Sequence, residues 1–137
     1  MSIRQTIRSQ FDAVWKADPD NPVTVVTYDN ENFDPKEYDE WVRFVVLQTD
    51  GSQDTLGPHR FRREGIVVVQ VFVLCGSGMV RMDELTDKAR KIFEGENFTL
   101  ANGGSGLYLN VKIRDLGVQE KWFVSNVEAN YRQWESI

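Results

Sequence analysis

Ile66 to Leu74 is apolar at every position but Gln70. A strand with one wet face alternates apolar and polar residues, so an unbroken run of this kind predicts a strand covered on both faces. The basic stretch Arg60-Phe61-Arg62-Arg63-Glu64 precedes it and reads as a short strand of its own. Gly65 stands between the two, where an isolated glycine is expected to make a bulge or a sharp bend. Cys75-Gly76-Ser77-Gly78 then turns the chain into a helix, with Met82, Leu85, Ala89, Ile92 and Phe93 at helical spacing. Gly95 falls where a left-handed C-cap belongs. Cys75 is the only cysteine, so no internal disulfide forms, and its place after the apolar run predicts a buried small hydrophobe.

The rest of the chain can be fitted around that core. Ser2 and Gln5 make a capping-box pattern, and Ile3, Ile7, Phe11, Val14 and Trp15 form one apolar stripe, predicting a helix over 3–16. Val23 to Tyr28 and Trp41 to Gln48 read as strands. Residues 29–40 form an acidic connection with Phe33 and Pro35 in it, and 48–58 has turn chemistry that predicts a mobile loop. A second flexible loop is expected over 101–106. Leu107, Leu109, Val111 and Ile113 alternate with polar residues and predict a half-buried strand, turned by Asp115-Leu116-Gly117. Lys121 to Trp134 is predicted as a last long strand, since Trp122-Phe123-Val124 favours one over a helix. The order α-β-β-β-β-α-β-β implies an α+β fold: a single mixed or antiparallel sheet of five to six strands, with two main helices packed on one face.

Length and charge narrow the function. At 137 residues the chain is expected to be one domain, 1–137, large enough to fold without metals or disulfides. Its net charge of −5 argues against sequence-independent nucleic-acid binding, which needs a dominant basic surface. No segment approaches the roughly 20 apolar residues of a membrane span. The N-terminus lacks a signal-peptide core, which predicts a protein made and kept in a cytoplasm.

Catalytic and metal chemistry find no support. A calcium loop starting at Asp29 would need glycine where Asp34 stands, and Phe33 would fill a ligand position. Gly76-Ser77-Gly78 lacks the third glycine of a dinucleotide turn, because Arg81 occupies its place. Ser77 is outside any nucleophile-elbow pattern, and the only histidine, His59, is a whole strand away from Cys75. No catalytic, metal or cofactor residues are therefore assigned. The basic run is the most unusual surface feature, and Arg60, Arg62 and Arg63 suit an intersubunit patch facing acids of a neighbour, such as those at 29–40. Phe33, Trp41 and Trp134 are expected to be exposed, as interface aromatics are.

Taken together, these segments resemble the tail terminator proteins of long-tailed bacteriophages, the lambda-like group and its phage relatives. The resemblance rests on the N-terminal helix, Val25-Val26-Thr27-Tyr28-Asp29-Asn30 with Phe33 and Pro35, and Trp41-Val42-Arg43. It continues through Arg62 to Val73, Gly76-Ser77-Gly78, the helix ending Phe93-Glu94-Gly95, and the segment 105–134. It implies a homo-oligomeric ring, a hexamer, that caps the tail tube, stops its polymerisation and presents the surface that joins the head. The implied partners are the chain itself, the tail-tube protein and the head-completion or connector protein, with DNA passing through without sequence-specific binding and no membrane. The implied place is the head–tail junction of the virion, assembled in the host cytoplasm. Phe33, Pro35, Trp41, Arg43, Arg60, Arg62, Arg63 and Glu64 are the candidate subunit or tail contacts. The alternatives are another neck or tail-tube component and, from a different class, a small-molecule-binding α+β domain with a pocket between sheet and helices.

Overall fold

The computed structural model describes residues 3–17, 24–28, 31–35, 38–53, 60–76, 78–99 and 104–136. Its elements run α1 (Ile3–Lys16), β1 (Val26–Tyr28), β2 (Glu40–Gln53), β3 (Arg60–Leu74), α2 (Val80–Phe93), β4 (Asn97–Thr99), β5 (Ser105–Gln119) and β6 (Trp122–Ser136). The six strands form one sheet in the order β1-β2-β3-β6-β5-β4. β1 lies parallel to β2 and every other pair is antiparallel, so the fold is α+β with a mixed sheet.

The apolar run at 66–74 is the centre of this sheet, flanked by β2 on one side and β6 on the other. Alternate residues of it face the main core: Val67, Val69, Val71 and Val73 join Val42, Phe44 and Val46 of β2 and Val127 and Ala129 of β6. Ile7, Phe11 and Trp15 of α1 and Met82, Leu85, Ala89, Ile92 and Phe93 of α2 belong to the same cluster. Phe11 stacks on Phe44 at 4.3 Å between ring centres, and Phe93 stacks on Phe44 at 6.0 Å. Stacked pairs of this kind each add about 0.5–1.5 kcal/mol to their area burial. Polar contacts fix how α1 lies. Trp15 Nε1 donates to the Thr24 carbonyl at 3.0 Å, Tyr108 Oη to Gln10 Oε1 at 2.6 Å, and Gln10 Nε2 to the Asn97 carbonyl at 3.0 Å. Val14, on the predicted stripe, is instead exposed.

The strand order differs from the expected one in ways that have physical causes. The basic stretch is not a separate strand, because β3 passes straight through Gly65 with its register to β6 intact, while its register to β2 shifts by one residue at that point. Gly65 is there for space: a Cβ would overlap the Leu47 carbonyl oxygen and the Tyr131 ring. The irregularity sits on β2, between Gln48 and Asp50. The predicted loop from 48 is thus β-structure to Gln53, which pairs with Phe61; 54–59 lie outside the described residues. β1 begins only at Val26, and Ser2 of the capping box is outside the described residues, as is Val23.

The far half of the chain departs further. β4 was missing from the expected order, and it pairs with the start of β5, where Gly106 is buried beneath the Phe98 ring rather than lying in a loop. Residues 101–103 are outside the described set. β5 does not turn at Asp115-Leu116-Gly117. It bulges there, with Gly117 at φ +85°, and turns at Glu120 and Lys121. Its buried core side chain is Tyr108, packed between Phe93 and Phe98, with Val111 partly buried against the same core, whereas Leu107 and Leu109 look to the opposite face. Cys75 is exposed, because β3 ends at Leu74 and Cys75 already belongs to the turn, where its N–H donates to the Lys121 carbonyl at 3.0 Å. The predicted last strand and the predicted helices are found as expected, with Gly95 at φ +73° just past the C-cap Glu94.

Candidate functional site

Trp41, Arg43, Arg62 and Glu64 among the candidate contact residues share the sheet face opposite the main core. At one end, Trp41 of β2 stacks on Phe72 of β3 at 3.9 Å and 3°, and meets Trp122 of β6 edge-on at 6.1 Å. With Val124 these form a second, smaller core. Phe33 lies on it, 5.0 Å from Trp41 and 5.4 Å from Tyr38, so the acidic connection is pinned across this end of the sheet. Trp41 is only 5% exposed, which corrects the expectation of an exposed interface aromatic. Its indole is a core wedge, and Phe33 and Trp134 are half-buried. Pro35 is half-buried on the connection, and its carbonyl accepts the Tyr38 N–H at 3.1 Å. The Arg43 guanidinium sits over the Trp41 ring at 5.2 Å.

At the other end stands the basic run. Glu64 Oε1 is shared by Arg62 at 3.2 Å and Arg132 at 3.0 Å. Glu64 therefore already has cations of its own chain, where the sequence suggested a contact to a neighbour. Arg63 is on the other side of the strand and exposed, and the side chains of Arg60 and Phe61 lie outside the described ones. Two of the acids at 29–40, Glu31 and Glu40, are also engaged at home. Glu31 Oε1 accepts the Tyr28 N–H at 2.9 Å, and Glu40 holds the Arg81 side chain at 2.7 Å, raising the guanidinium above its ordinary range.

Sequence reading missed the middle of this face. Cross-strand register sets Leu47 of β2 beside Ile66 of β3, then Asn130 of β6 and Leu109 of β5. The next row is Val45, Val68, Glu128 and Lys112, and the one after it Arg43, Gln70, Asn126 and Arg114. Glu128, 13% exposed, is shared by Arg114 at 2.5 Å and Lys112 at 3.9 Å. Every element of that pattern was in the sequence, but only register shows that residues so far apart share a patch. A shallow depression of about 330 Å³ opens between Thr49, Glu64, Ile66, Leu109, Asn130 and Arg132.

Nothing in this surface combines a nucleophile with a base. Among the described residues no group of three or more His, Cys, Asp and Glu side chains is placed to hold a metal ion, and no helix is long and apolar enough to cross a membrane. His59 and Ser77 lie outside the described residues. What the face offers is an apolar row bounded by charge, which is the make-up of a protein contact.

Comparison with known proteins bears on which contact. A family model described as "Phage tail terminator protein" matches residues 2–122. A solved structure 18% identical in sequence superposes with a TM-score of 0.74, covering 96% of this chain and 92% of that one, and so shares the fold. No curated protein matches the chain.

Proposed function

We propose that this chain, which belongs to the phage tail terminator family, caps the growing tail tube as a ring of identical subunits, a hexamer, and then offers the surface to which the head attaches. The family match over residues 2–122 carries the reading: it makes the chain a structural component of a phage tail. A structural role asks for surfaces rather than reactive groups, and the sheet face just described is such a surface.

A ring of this kind is built from heterologous contacts, in which one patch of a subunit meets a different patch of the next. Its further partners are the tail-tube protein and the head's connector, at the head–tail junction of the virion. DNA passes through the lumen without sequence-specific binding. The net charge of −5 suits that passage, because like charge keeps DNA from adhering to the wall.

The reading is tested by complementation. Purified protein added to a lysate of phage lacking this gene should restore infectious particles when heads and tails are both present. Failure of the folded protein to raise the titre would remove the capping and joining roles.

A further inference from the structure

The middle of the uncovered sheet face has no counterpart in its own chain. The aromatic end is roofed by Phe33, but the row through Leu47 and Ile66 has no roof among the described residues, and Leu47 is 48% exposed. The row is continuous with the roofed part, since Arg43 touches Trp41 and lies one row from Val45 and Val68.

Charge on this face runs against that of the molecule. Two carboxylates, Glu64 and Glu128, serve four cations: Arg62 and Arg132 on the first, Lys112 and Arg114 on the second. Arg43 adds a fifth. Among the described side chains the face is therefore net positive, in a chain whose net charge is −5, so most of the acid lies elsewhere. Nucleic acid is a poor occupant, because the cations are already half neutralised and the apolar row between them offers phosphates nothing. An apolar centre with a basic rim fits a protein with an acidic surface. The molecule that answers this description at high local concentration in a ring is the chain itself.

We propose that the middle of this face, centred on Leu47, Ile66 and Val68 and rimmed by Arg43, Lys112 and Arg132, receives the acidic surface of a second copy of the chain. The proposal deepens the ring reading and rests on it only for the occupant's identity. It is a heterologous contact, so each subunit gives one face and receives another, which closes a ring rather than a pair.

The test places a benzophenone photo-crosslinking amino acid at Leu47, in cells assembling tails, with the products identified by mass spectrometry. The expected product is a covalent pair of this chain, linked from position 47 to an acid-rich peptide of the second copy. Lys112→Glu in the same protein should cut its yield by about tenfold, and Lys112→Arg should restore it. A link to a different polypeptide or to DNA, or unlinked chain alone in assembled tails, would overturn the proposal. The outcome is separate from the capping claim. A self-link in a phage whose tails are normal without this gene keeps the docking face and removes the terminator role.

Discussion

The Tyr131 ring lies over Gly65, its cross-strand partner, closely enough that even a methyl group at 65 would overlap it. The Leu47 carbonyl crowds the same point from the other strand. A glycine in the middle of a long strand is weak by itself, and an aromatic ring laid across it restores the lost packing. Gly65→Ala should therefore destabilise the fold by about 1–3 kcal/mol, read as a lower urea midpoint at unchanged slope. Tyr131→Phe should do the opposite or nothing, because the buried hydroxyl has no hydrogen-bond partner among the described residues and its removal relieves that cost.

Trp41 gives a second prediction. Stacked on Phe72 and 5% exposed, it should cost about 3–5 kcal/mol when replaced by alanine. Phe33→Ala should cost less than half as much, since Phe33 is only half-buried. Its effect should be local, with faster proteolysis between Tyr28 and Glu40 and an unchanged far-ultraviolet spectrum. Equal global losses for both would contradict the picture of a wedge with a roof.

The tyrosines set an alkaline limit. Burial, first of all, raises Tyr28, Tyr108 and Tyr131 above the ordinary 10.0, and at Tyr28 the Asp12 carboxylate adds to it by accepting the phenol hydrogen at 2.5 Å. The unfolded chain loses these protons near pH 10 while the folded chain keeps them, so folding stability is whole below that pH and falls as pH rises above it. The urea midpoint should be lower at about pH 11 than at about pH 9, with the phenolate absorbance of these three tyrosines appearing together with unfolding.

Cys75 is exposed in the turn after β3, so a thiol reagent should modify one cysteine per chain without denaturant. Reaction only on unfolding would return Cys75 to the core.

Gly95 tests the end of α2. At φ +73° it occupies the left-handed region, where other residues are strained, and Gly95→Ala should cost about 1 kcal/mol in thermal unfolding.

The elements were legible where one signal dominated. The run at 66–74, the stripes of both helices and the C-cap at Gly95 each follow from a single periodicity or a single conformational need. β5 was misread because its apolar alternation favours the wrong face. Tyr108 is carried to the core by its place between Phe93 and Phe98, and the bulges after Leu109 and Asp115 shift the pattern again. Gly65 was expected at a bulge or a sharp bend, and a bulge does lie opposite it on β2, but sequence cannot show the Tyr131 ring that makes the glycine necessary. Of the candidate contact residues, Trp41, Arg43, Arg62 and Glu64 share one face and Arg63 lies on the other, while Trp41 proved to be core and Glu64 to be paired at home. The middle of the face depends on the register of four strands, which no local stretch encodes.

The most direct measurement of the central claim is the tail-length distribution, by electron microscopy, in lysates of a phage or prophage from which this gene has been deleted. The account predicts overlong tubes beside full heads that carry no tail, both reversed when the gene is restored. Tails of normal length in the deletion would contradict it.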